Sequence, residues 1–226
     1  MKGITFIALA LGVLYLGFKA VYPDYTYRYR LELTLDVDGK PYTGSSVIEV
    51  KWIGGPSPAA HGAYAADGRL RGQAPVIDLG DRGIVVAALI NGGSANPEGY
   101  RAINAIWLCA LAFGSDSSYA DLPKLEKLSG RRDLTPENWP LLIYFPKPSD
   151  PMSAHKFDPS QVQDFFGPGA RFTSAFVQIT SDPIVVDIDK KLPWYRAWAE
   201  NYRQRGPIWI TNRFGLAPDM FVGGAS

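Results

Sequence analysis

Asp187-Ile188-Asp189 follows the β-branched run Ile184-Val185-Val186, and two carboxylates at the end of a strand can share a divalent cation through hard oxygen ligands. Many glycosyltransferases hold their metal in this way. The fold such an enzyme requires is not apparent here, so Asp187 and Asp189 stand as candidate acid–base groups and no metal site is assigned. His155 is the imidazole to set beside them, for a hydrolase or transferase whose site is assembled from distant parts of the chain. His155 also falls inside Ser153-Ala154-His155-Lys156, the S-x-x-K spacing in which a lysine activates a serine one helical turn away. The companion S-D-N and K-T-G elements are missing, and the flanking Pro151 and Asp158-Pro159 predict a loop there. Asp36-Val37-Asp38-Gly39 imitates the start of a calcium loop without its third acidic ligand or closing glutamate, so a hairpin turn accounts for it. His61 is isolated in a loop. No phosphate loop, G-x-G-x-x-G, G-x-S-x-G or H-E-x-x-H is present, and no cofactor is expected.

Composition narrows the classes further. The 226 residues carry 23 Lys+Arg against 22 Asp+Glu, with no basic block, which argues against a nucleic-acid partner bound by phosphate neutralisation. With 46% hydrophobic residues the chain has ample material for a folded core. A single cysteine, Cys109, excludes an intramolecular disulfide and any cysteine-built zinc site.

The amino-terminal segment gives the strongest signal. Gly3 to Phe18 contains no charge, and Lys19 to Tyr22 extends it to about 20 residues, the length that spans a bilayer as a helix. Pro23 stops it. A cleaved signal peptide is the competing reading, but Phe18-Lys19-Ala20 places Phe where cleavage needs a small residue. An uncleaved anchor in the lipid bilayer through residues 3–22 is therefore expected. A very short amino-terminal tail favours leaving that end in the cytoplasm and the body outside it.

Beyond the span, Tyr25 to Val37 alternates with period two, which predicts a strand with one apolar face. Asp38-Gly39 turns it into a partner strand over Ser46–Trp52. The tyrosines at 22, 25 and 27 fit either a headgroup layer or the core face. A weaker strand over Arg69–Asp78 leads into Ile84–Ile90, an apolar run expected to be covered on both faces. Asn96-Pro97-Glu98 starts a helix predicted to run to Phe113, with Cys109 as a small core residue. A short helix at Leu122–Leu128, capping signals at Thr135-Pro136, Asp158-Pro159 and Asp182-Pro183, strands at Leu141–Phe145 and Arg171–Thr180, and an aromatic helix over Pro193–Gln204 complete the reading. About six strands without regular strand–helix alternation predict an α+β fold with a mainly antiparallel sheet. The expected organisation is a transmembrane helix in residues 1–23 and a single globular domain in residues 24–226.

Tyr25–Leu33 directly after an N-terminal span, Gly44–Val50, Phe166–Gly169, Ile179–Pro183 and Leu192–Trp194 together resemble an uncharacterised family of bacterial single-span membrane proteins. That resemblance covers most of the chain and implies a bacterial, membrane-tethered domain, without implying a substrate. The expectation drawn from residues and resemblance together is a non-enzymatic binding or structural protein of the cell envelope with a protein partner. A membrane-tethered hydrolase or transferase using His155, Asp187 and Asp189 is the alternative. An accessory subunit of a larger membrane complex is a third reading, for which Ala8 and Gly12 offer a small-xxx-small helix contact.

Overall fold

The computed structural model describes residues 2–56, 64–91, 105–115, 119–135, 138–206 and 215–224. Helix α1 (Lys2–Val21) is apolar on all sides over most of its length, and from Ile4 to Val21 its residues stand exposed except Lys19, which is half-buried. It is long and apolar enough to cross a membrane, a property it shares with signal sequences.

Three residues later β1 (Tyr25–Val37) begins, and the predicted alternation holds along its length. Tyr27, Tyr29, Leu31, Leu33, Leu35 and Val37 are buried on one face, while Thr26, Arg28, Arg30, Glu32, Thr34 and Asp36 occupy the other. Asp38 and Gly39 both have positive φ, 55° and 79°, so the chain reverses in two residues with the twist that suits a hairpin. The Asp36 carboxylate accepts from the Gly39 N–H at 3.0 Å and closes the turn. Strand β2 (Lys40–Pro56) then pairs antiparallel with the whole of β1.

A six-stranded antiparallel sheet grows from this hairpin in the order β10-β3-β2-β1-β9-β6. Its other members are β3 (Tyr64–Gln73), β6 (Arg131–Asp133), β9 (Arg171–Ile179) and β10 (Val222–Gly223). A second, four-stranded sheet has the order β4-β5-β7-β8 and comprises β4 (Val76–Asp78), β5 (Ile84–Asn91), β7 (Pro140–Phe145) and β8 (His155–Phe157). Ala74-Pro75 divides what the sequence suggests is one strand at Arg69–Asp78: Pro75 has no N–H to donate, and β4 departs to the second sheet. Where the sheets meet, Gly44 of β2 lies under β4, and a Cβ there would stand 2.6 Å from the Val76 carbonyl. No side chain fits that approach.

Ile84 to Leu89 are buried without alternation, as expected of a strand covered on both faces. The described part of the predicted 96–113 helix is α2 (Ala105–Ala112); its predicted start lies outside the described residues. α2 is fastened to the large sheet by the tyrosine hydroxyls of β1, with Tyr27 donating to the Ile106 carbonyl at 3.0 Å and Tyr29 to that of Ala105 at 2.5 Å. α3 (Leu122–Leu125) and α4 (Val162–Phe166) are single turns. α5 (Tyr195–Arg205) docks through aromatic rings, Trp194 and Trp198 lying against Phe221 at 6.1 and 5.8 Å. The buried side chains of both sheets and the helices form one continuous cluster. Among the described residues the architecture is α+β with antiparallel pairing throughout, and ten strands in two sheets stand where about six were expected, because several are only two or three residues long.

Candidate functional site

After β9 the chain does not form the helix that Asp182-Pro183 predicts. Residues 180–187 instead run without regular structure across the solvent face of the large sheet, from β1 past β2 to β3. The Asp182 side chain, which would cap a helix, pairs with Arg30. Arg28 donates to the Asp182 carbonyl at 3.5 Å, and the Thr180 N–H donates to the Arg28 carbonyl at 3.1 Å. At the far end the Asp187 N–H donates to Gln73 Oε1 at 2.6 Å and Gln73 Nε2 donates to Asp187 Oδ1 at 3.1 Å. This strap is thus tied at both ends by side chains that point outward from the sheet.

Beneath it lies an open pocket of about 420 Å³ whose polar lining includes Arg30, Ser45, Ser46, Gln73, Asp182 and Asp187. Hydrogen bonding to Gln73, with Lys190 adding at 3.3 Å, holds the Asp187 carboxyl below the usual carboxylate range. Asp182 is held low in the same direction by Thr180 and Arg30. Both are therefore anions at neutral pH, set among the Arg30 guanidinium, the Ser45 hydroxyl and the Gln73 amide; Ser46 alternates to the buried face. These side chains can donate to and accept from a polar group, while Val47, Pro183 and Val185 give the same pocket apolar walls. Val185 and Val186 are 56% and 53% exposed, and outside α1 they are the exposed large apolar side chains of the described residues.

The remaining sequence candidates occupy other surroundings. Asp189 sits in a short 3-10 turn and pairs with Arg196 of α5 at 2.7 Å. His155 is on strand β8 and not in a loop, because the four-stranded sheet recruits residues 155–157 as its edge; it stands opposite Tyr144 and 5.9 Å from the ring of Phe165. No described hydrogen bond or ion pair joins any two of His155, Asp187 and Asp189. Ser153 turns back to accept from the Lys147 N–H and donate to the Asp150 carbonyl at 2.7 Å, whereas Lys156 reaches the Gly215 carbonyl at 3.2 Å. The S-x-x-K spacing therefore makes no serine–lysine couple. Burial lowers the Lys156 pKa and pushes the Cys109 thiol up to about 12, in keeping with a core cysteine. Among the described residues no three His, Cys, Asp or Glu side chains converge as metal ligands. His61 lies outside the described residues.

Two charged arrangements went unread in the sequence. Glu49, with its side chain 10% exposed, accepts from Arg28 Nε and Nη2 at 2.8 Å and pairs with Arg71 at 3.4 Å on the other side. A two-residue turn at Asp38-Gly39 places Arg28 opposite Glu49, so half of this triad was available from the turn alone. The second arrangement is a joint between α1 and the sheet. Lys19 of the last helical turn pairs with Asp24 at 2.6 Å, and the same Asp24 oxygen accepts from the Gly54 N–H of β2 at 3.0 Å. These contacts, the Lys19 bond foremost, hold the Asp24 carboxyl low. A Cβ on Gly54 would lie 2.8 Å from the carbonyl carbon and oxygen of Tyr22, so the linker is pressed onto β2.

No protein-family model, curated protein or solved structure matches the chain, and the resemblance of its motifs to a bacterial single-span family finds no support in these comparisons.

Proposed function

We propose that the protein is a membrane-anchored binding protein of the bacterial cell envelope, held in the inner membrane by α1 with its body outside the cytoplasm, and that the strap over residues 180–187 engages a protein partner. The observation that carries this reading is the position of Val185 and Val186: two neighbouring exposed valines on an irregular segment, of which Val185 lines a pocket that has both polar and apolar walls. An apolar contact rimmed by polar groups that fix orientation is the usual anatomy of a protein-recognition surface. The exposed apolar surface of α1 supports the membrane half of the reading, since about 20 such residues suit the interior of a bilayer.

A photo-crosslinking amino acid at Val185, compared with one at Asp81 on a different turn, tests the partner assignment in cells. The expected result is a discrete adduct from position 185 that disappears when Val186 is changed to Asp. Equal, diffuse labelling from both positions would rule out the strap as the recognition surface.

A further inference from the structure

From the joint between α1 and the large sheet we infer that the base of the domain is itself a membrane contact: Tyr22, Tyr25 and Ile53 lie in the lipid headgroup layer, with Lys51 directed at lipid phosphate. The inference rests on the reading of α1 as a membrane span and adds a second surface to it.

Its first support is distance along the chain. Val21 ends α1 and Tyr25 begins β1, so only three residues separate the end of the apolar helix from the sheet. The four steps from Val21 to Tyr25 reach at most about 14 Å, so the sheet begins within or just beyond a headgroup layer that is about 5–8 Å deep on each side of the hydrocarbon core. The second support is rigidity. Lys19, Asp24 and the Gly54 N–H form one chain of bonds, and the Tyr22 carbonyl is in contact with Gly54, so the sheet cannot swing away from the helix end without breaking both. Whatever depth Lys19 adopts, Gly54 and its neighbours follow.

The third support is chemistry. Tyr22, whose ring lies 5.0 Å from that of Phe18, is half-buried, as is Tyr25, which packs against the edge of the core; Ile53, on the opposite face of β2, is likewise half-exposed. Amphipathic rings at this level are the side chains that interfaces favour. Tyr27 is excluded from the layer because it is buried and bonded to Ile106. Lys51 stands opposite Thr26 on one side and Arg69 on the other, and its ammonium bonds to none of the described residues. Two cations face each other across the β2–β3 ladder, an arrangement that a lipid phosphate relieves. The acidic groups nearby bond chiefly to other partners: Asp24 to Lys19, although the Lys51 charge also helps hold its carboxyl low, Glu49 to Arg28 and Arg71, Asp67 to Arg69, and Glu126 to the Thr26 N–H, with Asp219 lining the same groove as Lys51.

The test uses the full chain in phosphatidylcholine vesicles that carry a nitroxide on the headgroup. Single fluorophores are attached at Phe18→Cys, Lys51→Cys, Ile53→Cys and Asp81→Cys; Cys109 is buried and stays unlabelled in the folded protein. Asp81 belongs to the turn whose Arg82 pairs with Asp38, at the opposite end of β1, about 40 Å from the base. Quenching at positions 51 and 53 is expected within twofold of that at 18 and at least fivefold above that at 81. Strong quenching at 18 with 51 and 53 no different from 81 would overturn the inference and leave the anchor intact. Absence of quenching at 18 would overturn both. Lys51→Cys replaces an exposed side chain, so its result stands even if Ile53→Cys perturbs the fold.

Discussion

Helix α1 and strand β1 are neighbours in the chain and both are rich in large apolar side chains, but they solve opposite problems. Along β1 the apolar groups alternate with polar ones, and the sheet supplies its own cover: Leu31, Leu33 and Leu35 are wholly buried. Along α1 there is no polar face, and Leu9, Leu11, Leu14 and Leu16 stand more than 60% exposed. The period of the pattern, more than its hydrophobicity, decides whether a segment carries its solvent with it or requires one from outside. Substitutions that remove the same atoms from each should therefore have very different consequences.

The largest contrast is expected from Leu33→Ala. It empties a site with no exposed surface and should lower the stability of the domain by about 3–4 kcal/mol, read as a drop in the thermal midpoint. Leu11→Ala in α1 should leave that midpoint unchanged in detergent. An equal drop from both would show that α1 packs on the body in solution.

Val13→Lys probes the other side of the comparison. A lysine near the centre of a spanning helix costs about 3 kcal/mol on insertion scales, so the share of protein that resists alkaline extraction from membranes should fall sharply while the domain melts as before. Unchanged extraction would remove α1 as the anchor.

The joint between the two segments should respond at an intermediate level. Gly54→Val forces a side chain against the Tyr22 carbonyl and should cost roughly 1–3 kcal/mol. Its distinguishing sign would be early loss of α1–domain rigidity, seen as faster amide exchange at Gly55 than in the wild type.

Smallest is the effect of pH. Asp24, Asp78 and Asp187 are held below the ordinary carboxylate value by Lys19, Lys191 and Gln73 respectively. A carboxyl depressed in the folded state adds stability above its unfolded value of about 3.9, and that stability is lost as pH falls through the lower folded value. These groups are partly exposed, so each should contribute under about 1 kcal/mol. The thermal midpoint should be level from pH 7 to about 5 and then decline, less steeply in Asp187→Asn. A midpoint that rises on acidification would contradict the assigned contacts.

Much of this framework was legible beforehand for physical reasons. Period-two alternation in β1, the Asp38-Gly39 turn, the unbroken apolar run of α1 and the doubly covered β5 are local patterns that burial enforces residue by residue. The strap was not legible, because Asp182-Pro183 is a good helix opening, and only the Arg30 side chain from a strand 152 residues away turns that carboxylate to another use. His155 was misplaced for the same reason: a three-residue edge strand has no periodicity of its own and exists because β7 offers it a ladder. The pocket at Asp187 likewise depends on Gln73 and Ser45, which no spacing in the sequence connects. Ties to distant parts of the chain, a side-chain pair for the strap and a backbone ladder for β8, are invisible in any local window.

The ends of the large sheet bear on how many such molecules can share a surface. Copies held in one plane meet far more often than copies free in three dimensions, and an exposed sheet edge under those conditions invites lateral fusion into extended β-structure. Here the outermost strands are β10 and β6, two and three residues long, and where β9 runs past β6 its register shifts at a bulge opposite Thr34 and Leu35. The bulge breaks the ladder at the β9 edge, whereas β10 pairs only with Gly72 and Gln73 and leaves the rest of β3 beyond its reach, so of the two ends it is the β3 side that crowding would test.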